Sequence, residues 1–318
     1  MRIRMITPAA RGSRSGNRAT AERWARFLRA AGHRVAIATA YADEPADAMI
    51  ALHAWRSADA VERFRQRHPQ RPLVVALTGT DLYRFQHSDP ETTHRAMAAA
   101  DRLVAIHEAA ADDIPEHFRA KLAVILQSAT PPAEPHRPVK REFRALVIGH
   151  LRDVKDPFRP ALAAAGLPAD SRLVIHHYGL APDEAWAQAA HQQMAANPRY
   201  RWHGELPHWR VRRALGRAHL LIHPSLMEGG ANAVGEAIVA GVPVLASAVP
   251  GNVGLLGRDY PGTFPVQDTA ALTALMQRAE REPAFYAELA RRCGERAPLF
   301  APEREAAAWR ELVAGLRA

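Results

Sequence analysis

The sequence predicts an α/β protein made of two doubly wound domains, and three observations lead there. The chain has 318 residues, more than one ordinary hydrophobic core organises. Short apolar runs alternate with helical stretches along nearly all of it, the pattern of parallel strands covered by helices on both faces. The alternation is interrupted once, by ATPPAEPHRPVKREF at residues 129–143, and then restarts.

Taken in order, the first strand pattern runs from Arg2 to Thr7. The Gly/Ser loop PAARGSRSGN follows, and apolar spacing near 3.6 predicts a helix from Thr20 to Ala31. HRVAIATA, DAMIALHA, PLVVALTG, DRLVAIH and KLAVILQS are further buried strands. Beyond the proline-rich stretch come RALVIGHL, RLVIHHYG, YRWHGEL, AHLLIHPS and GVPVLASA. The expected division is an N-terminal domain at 1–136 and a C-terminal domain at 137–301. Residues 302–318 read as one amphipathic helix expected to pack back on the first domain.

Composition narrows the function classes. An apolar fraction of 48% with 24% charged residues is that of a soluble folded chain and excludes a disordered one. The lone cysteine, Cys293, allows no intrachain disulfide and points to a reducing compartment. No run approaches the roughly 18 apolar residues of a membrane span, and the opening residues lack the apolar stretch of a secretory signal. A cytoplasmic protein is expected. The net charge of +9 favours anionic partners. Its arginines are dispersed through helical segments, with no basic arm and no basic–aromatic stripe. Small anionic substrates are therefore expected, not nucleic acid and not a membrane. Oligomeric state is left open.

The most informative stretch is PSLMEGGANAVGEAIVAGVPVLA, residues 224–246. AHLLIHPS reads as a strand and ANAVGEAIVAG as a helix ended by Gly241 and Pro243, so Glu228, Gly229 and Gly230 fall in the loop at a parallel strand's carboxyl end. Glycines at a helix N-terminus let a phosphate approach bare N–H groups at the positive end of the helix dipole. Glu236, about a turn into the helix, can accept two hydrogen bonds from a ribose diol, and Glu228 can reach a sugar hydroxyl. Spacing alone also allows an ordinary loop–helix junction. In the first domain, Gly12, Ser13, Ser15, Gly16, Asn17, Arg18 and Thr20 crowd a helix N-terminus with donors. Arg11, Arg14 and Arg18 surround that loop without neutralising acids, which favours an anion site. His53 and His107 sit at strand ends, and His176 and His177 point to opposite faces of one strand.

EGGANAVGEAIVAGVPVLA resembles the E-x7-E signature of retaining glycosyltransferases of the GT-B fold, glycosyltransferase family four, and the resemblance extends over most of the chain. It implies two Rossmann-like domains facing a central cleft, with a nucleotide-sugar held by the second through Glu228, Gly229, Gly230, Ala231, Asn232 and Glu236. VIGHLRDVKDP falls where the family carries its phosphate-gripping Arg and Lys. Lys155 matches the lysine, His150 stands where the arginine is usual, and Arg152 is the implied substitute. WHGEL resembles the family's turn near the base, which assigns Gly204, Glu205 and Leu206 there. The Asp-x-Asp mark of the other large glycosyltransferase fold is absent, so neither a catalytic metal nor a cofactor is expected.

On the acceptor side the chain departs from the common pattern. VVALTGTDLYRF places Thr78 where many relatives carry a His followed by Gly, so base activation of an alcohol does not carry over. Together with ITPAARGSRSGNRATAERW, IALHAWRSADAV and ILQSATPP, it resembles the selenosugar synthases of selenoneine biosynthesis. That narrower resemblance implies transfer from a UDP-sugar, most simply UDP-N-acetylglucosamine, to selenophosphate held by the Gly12–Thr20 loop with Thr78, Gly79 and Thr80. Phosphate would then be lost with the help of a water near His53 or His107. Selenophosphate is already an anionic, soft nucleophile and needs no base. Two other readings stay open on the sequence: a GT-B enzyme acting on a sugar, lipid or thiol, and a non-catalytic binder of nucleotides or nucleic acid.

Overall fold

β1 (Arg2–Ile6) is the founding strand of a six-stranded sheet in the computed structural model, which describes residues 1–13 and 15–316. β2 (Arg34–Ala38), β3 (Ala48–Leu52), β4 (Leu73–Leu77), β5 (Arg102–Ala105) and β6 (Leu122–Val124) complete it. The order is β2-β1-β3-β4-β5-β6, with every neighbouring pair parallel. Runs such as AMIAL and LVVAL are apolar throughout because both sheet faces are dry. Met49, Ala51, Val75 and Leu77 enter one core, with Phe64 of helix Ala58–Arg67 and Met97 of helix Pro90–Ala99. Their neighbours Ala48, Ile50, Leu52, Val74 and Ala76 enter the other core, with Trp24 and Leu28 of helix Gly16–Ala30.

Helix Gly16–Ala30 begins four residues ahead of the start that apolar spacing predicts. Ser15 caps it, its Oγ accepting the Arg18 N–H at 3.3 Å, and a polar first turn carries no apolar signal. Arg14, part of the predicted loop, and the last two residues of 302–318 lie outside the described residues.

The second sheet contains β7 (Phe143–Ile148), β8 (Leu173–Tyr178), β9 (Tyr200–Trp202), β10 (Leu220–His223), β11 (Val244–Ser247) and β12 (Thr263–Phe264). Its order is β12-β11-β10-β7-β8-β9, again parallel throughout. β12, an edge strand of two residues, is too short to show a period and goes unseen in the sequence.

The chain divides into two compact units. One comprises Met1–Ser128, Glu228–Gly230 and Ala301–Ala318, the other Ala129–Met227 and Ala231–Phe300. The first cut thus falls after Ser128 and not at 136. Backbone pairing explains the difference, because the proline-rich stretch is stitched to the second unit. Ala129 donates to Phe300 O at 3.0 Å and Arg137 to Gly216 O at 2.9 Å, while the Arg212 guanidinium grips Thr130 O and Pro131 O. In the first unit, helix Pro302–Gly315 lies on helix Gly16–Ala30 through Trp24 and Trp309, whose ring centroids are 4.5 Å apart. Buried Glu305 fixes that contact. It accepts from Trp24 Nε1 at 2.7 Å, from Ser128 N at 2.7 Å and from the Ser128 hydroxyl, and it pairs with Arg23.

Among the described residues, no helix is long and apolar enough to cross a membrane.

Candidate active site

In the second unit the strand order reverses direction between β7 and β10, and open α/β sheets bind ligands at such a switch point, beyond the strands' carboxyl ends. After β7 the chain runs through Gly149 and His150 into a 3-10 turn, Asp153–Lys155, closed by Asp156 in the left-handed region at φ +43. Leu226 N, in the loop after β10, donates to Val154 O at 2.9 Å and ties the two loops together. The result is a small crevice lined by Gly149, His150, Lys155, His177, His223 and Ser225.

His150 and Lys155 are therefore brought together, whereas Arg152 is exposed at the start of the turn. His150 is anchored, its Nδ1 accepting the Leu180 N–H at 3.0 Å. Beneath it, Gly179 is a required glycine: a Cβ there would sit 1.7 Å from Gly149 O. His176 and His177 do diverge, as strand alternation demands. His176 meets His203 and Glu142, while His177 meets the Tyr200 hydroxyl at 2.7 Å and Gly149 O at 2.9 Å. Burial holds His177 down to about 4, so the neutral ring donates to Gly149 O and accepts from Tyr200. That bond fixes the carbonyl at the head of the crevice.

Helix Asn232–Val239 leaves the β10 loop after Ala231, with Asn232 as its first residue. Glu236 Oε1 lies 2.9 Å from His208 Nε2, and this hydrogen bond is the largest cause of the raised His208 pKa. His208 opens helix His208–Leu215, directly after Gly204, Glu205, Leu206 and Pro207. Gly204 adopts φ +68, and its carbonyl accepts the Gly179 N–H at 2.9 Å. The stretch assigned to the base and the carboxylate assigned to the ribose thus adjoin through His208.

In the first unit, Glu228 is 9% exposed and Gly229 touches the end of β4. A Cβ on Gly229 would lie 2.3 Å from Thr78 O and 2.4 Å from Gly79 Cα, so the contact requires glycine. Gly79 has φ +134. Fully buried Asp81 shapes this turn, its carboxylate accepting backbone N–H groups of Thr78, Gly79, Leu82 and Ala54 at 2.7–3.1 Å. His53 Nε2 reaches Thr80 Oγ1 at 2.8 Å, and burial lowers the His53 pKa.

The loop after β1 differs from expectation in two respects. The Arg18 guanidinium pairs with Glu22 at 2.7 Å, so an acid one turn along the helix does neutralise it. Thr20 is buried and its hydroxyl accepts from Gln127 Nε2, which turns it toward the interior of the unit. Gly12 turns the loop at φ +83, and Ser13 Oγ accepts the Ser15 N–H at 3.2 Å. Among the described residues, no group of three or more His, Cys, Asp or Glu side chains is placed to hold a metal ion.

Sequence reasoning missed Asp81 and His208. For Asp81 a signal exists, since TGTD puts a short carboxylate in reach of its own turn's N–H groups. His208 acquires its role only through Glu236, a partner far along the chain.

The fold has counterparts in known proteins. The model of the family described as glycosyl transferases group 1 matches residues 133–300, more than half of the chain. The chain belongs to that family and is a glycosyltransferase. Solved structures share its GT-B fold of two Rossmann-like parallel-sheet domains. A sucrose-phosphate synthase from Thermosynechococcus elongatus matches with a TM-score of 0.81 at 18% identity, covering 99% of each chain. HepE of Anabaena in complex with UDP-glucose matches with a TM-score of 0.77 at 15% identity, over 99% of this chain and 100% of that one. A UDP-forming α,α-trehalose-phosphate synthase from Burkholderia xenovorans in complex with glucose-6-phosphate gives 0.68 at 11% identity, over 85% and 74%.

Proposed function

We propose that the enzyme is a selenosugar synthase. It transfers a sugar from UDP-N-acetylglucosamine, or a closely related UDP-sugar, to selenophosphate. The observation that carries the donor half is the crevice at the β7/β10 switch point, where Lys155 adjoins the turn of His150. HepE, whose fold matches, was solved with UDP-glucose, which supports a UDP-sugar donor. On this reading Lys155 and Arg152 offset the charge that builds on the β-phosphate as the anomeric C–O bond breaks. The N–H groups at Gly229–Gly230 and at Ala231–Asn232 assist. Glu236 holds the ribose, Gly204–Leu206 the base, and Glu228 the sugar ring.

The acceptor half rests on Thr78. Its hydroxyl is buried without a hydrogen-bond partner, next to Gly79 and Thr80 at the end of β4. A hydroxyl there can donate to an anion but cannot deprotonate an alcohol, and selenophosphate requires only the former. Selenium forms the bond to the anomeric carbon, the electron pair of the breaking bond leaves on UDP, and water later cleaves P–Se to give the 1-seleno-sugar and phosphate. Small anionic substrates, and neither nucleic acid nor a membrane, are the proposed partners, in the cytoplasm.

The test is incubation with a panel of UDP-sugars and, in parallel, selenophosphate, thiophosphate and simple alcohols, followed by UDP release and product mass. A seleno-sugar formed in preference to an O-glycoside supports the reading. Transfer to alcohols alone makes the enzyme an ordinary GT-B glycosyltransferase, and salt-sensitive binding of DNA or RNA with no UDP release makes it a non-catalytic binder.

A further inference from the structure

Two residues at adjacent strand ends of the first unit fix the direction of one hydroxyl proton. β3 and β4 pair in parallel with Leu52 beside Ala76, and His53 and Thr80 lie just beyond their carboxyl ends. His53 Nδ1 accepts the Arg56 N–H at 3.1 Å, and a ring nitrogen that accepts carries no proton. The ring proton therefore sits on Nε2, which lies 2.8 Å from Thr80 Oγ1 and donates to it. Both nitrogens are engaged, so the ring keeps no lone pair for a water or an alcohol. The Thr80 hydroxyl retains its own proton, turned away from the ring, and no acceptor meets it among the described residues.

The ring is held in this orientation from several sides. His53 has φ +73, a strained backbone for a side-chain-bearing residue. Its ring centroid lies 5.8 Å from that of Phe85, which stacks on Trp55 at 4.0 Å. Trp55 is fixed in turn, its Nε1 donating to Asp89 Oδ2 at 2.7 Å. His53 itself is buried, whereas Thr80 is half-buried, so a ligand can reach the hydroxyl but not the ring behind it.

The turn that carries Thr80 is equally well placed. Asp81, the next residue, accepts from Ala54 N beyond β3 and from Thr78 N and Gly79 N beyond β4, which locks the two loops together. Gly229, within the same unit, lies against Thr78 O and Gly79 Cα, and Glu228 precedes it by one residue. Thr80 thus stands on the turn that meets the segment bearing Glu228.

We propose that the Thr80 hydroxyl donates to a phosphate oxygen of the acceptor, with His53 as the positioning residue that keeps the hydroxyl proton facing outward. The assignment deepens the selenophosphate reading and rests on it. An oxyanion takes a hydrogen bond without having a proton to lose, and a bond to a charged acceptor is stronger than one between neutral groups. The His53 N–H polarises the hydroxyl it donates to, which makes Thr80 a better donor in turn. An alcohol acceptor gains nothing comparable here, because neither His53 nitrogen can take its proton.

The experiment is a double-mutant cycle on the full chain, with initial rates of UDP release measured against selenophosphate and against UDP-N-acetylglucosamine. Thr80→Val keeps the shape and removes the hydroxyl. It should raise KM for selenophosphate by about tenfold or more, the weight of one hydrogen bond to a charged group, and leave KM for the UDP-sugar at its wild-type value. Thr80→Ser should restore the wild-type KM. His53→Asn, a side chain that tolerates positive φ, should give a similar rise, and adding it to Thr80→Val should give no further one. Additive rises mean that His53 does not act through Thr80. An unchanged KM for selenophosphate in Thr80→Val, or a rise for the UDP-sugar instead, overturns the contact. Nitrogen-15 NMR of the wild-type chain reads the tautomer, with Thr80→Val used to identify the resonance. An Nε2–H ring is expected, and an Nδ1–H ring overturns the positioning role even if His53→Asn fails to fold. Wild-type enzyme that yields an O-glycoside and no seleno-sugar overturns the proposed function and this contact with it, whereas seleno-sugar formed by Thr80→Val at the wild-type KM overturns the contact alone.

Discussion

Glu236 and His208 are joined by a 2.9 Å hydrogen bond between the helix after β10 and the helix after β9. The carboxylate assigned to a ribose diol is therefore already occupied, by a ring whose pKa the pair raises. The stability this pair contributes is present below the ordinary histidine range and is lost as pH rises through the raised value. A ribose that takes Glu236 releases the ring and, with it, a proton.

UDP affinity should therefore rise with pH across that window by more in wild type than in His208→Ala. Titration calorimetry near pH 6 and pH 8 on both proteins gives the comparison, and the variant's slope removes the contribution of UDP's own ionisation. Identical slopes would mean that Glu236 does not meet the nucleotide.

Lys155→Ala should lower the rate of UDP release by about 10²-fold, the usual effect of removing one group that stabilises developing charge. Arg152→Ala, at an exposed position outside the crevice lining, should cost clearly less. Steady-state assays with UDP-N-acetylglucosamine distinguish the two. Equal losses would put Arg152 on the phosphate as firmly as Lys155.

Gly229→Ala forces a Cβ to 2.3 Å from Thr78 O, with only backbone to give way. Overpacking of this kind costs about 1–3 kcal/mol, and it also shifts the tripeptide carrying Glu228. Turnover should fall in a protein whose urea midpoint drops only modestly. Wild-type turnover in this variant would show that Glu228–Gly230 takes no part in the chemistry.

Glu305→Ala should destabilise the first unit by about 3 kcal/mol, because it leaves Trp24 Nε1, the Ser128 amide and Arg23 without their buried acceptor. Urea unfolding followed by tryptophan fluorescence measures it, since Trp24 and Trp309 form the affected contact. A loss under 1 kcal/mol would make the Glu305 network dispensable.

Strands were legible because both sheets are covered on both faces, so runs such as AMIAL and LVVAL are apolar from end to end. The loop at Glu228–Gly230 was legible from its glycines and from the strand and helix on either side, whereas the Gly149–Lys155 turn stood out only through the family resemblance. What stayed hidden depends on distant partners. Nothing near Thr130 in the sequence says that Arg212 will hold its carbonyl, so the proline-rich stretch reads as a free linker. Nothing near Glu236 says that His208 will meet its carboxylate. Glu22, by contrast, was visible at the fourth residue after Arg18, where a helix places a partner, and the predicted helix start at Thr20 concealed that spacing.

A crystal soaked with UDP tests the central claim most directly. The account predicts pyrophosphate density at the Lys155 turn, with ribose hydroxyls on Glu236 and the His208 ring displaced. Density for UDP elsewhere, with Lys155 and the Glu236–His208 pair undisturbed, would contradict it.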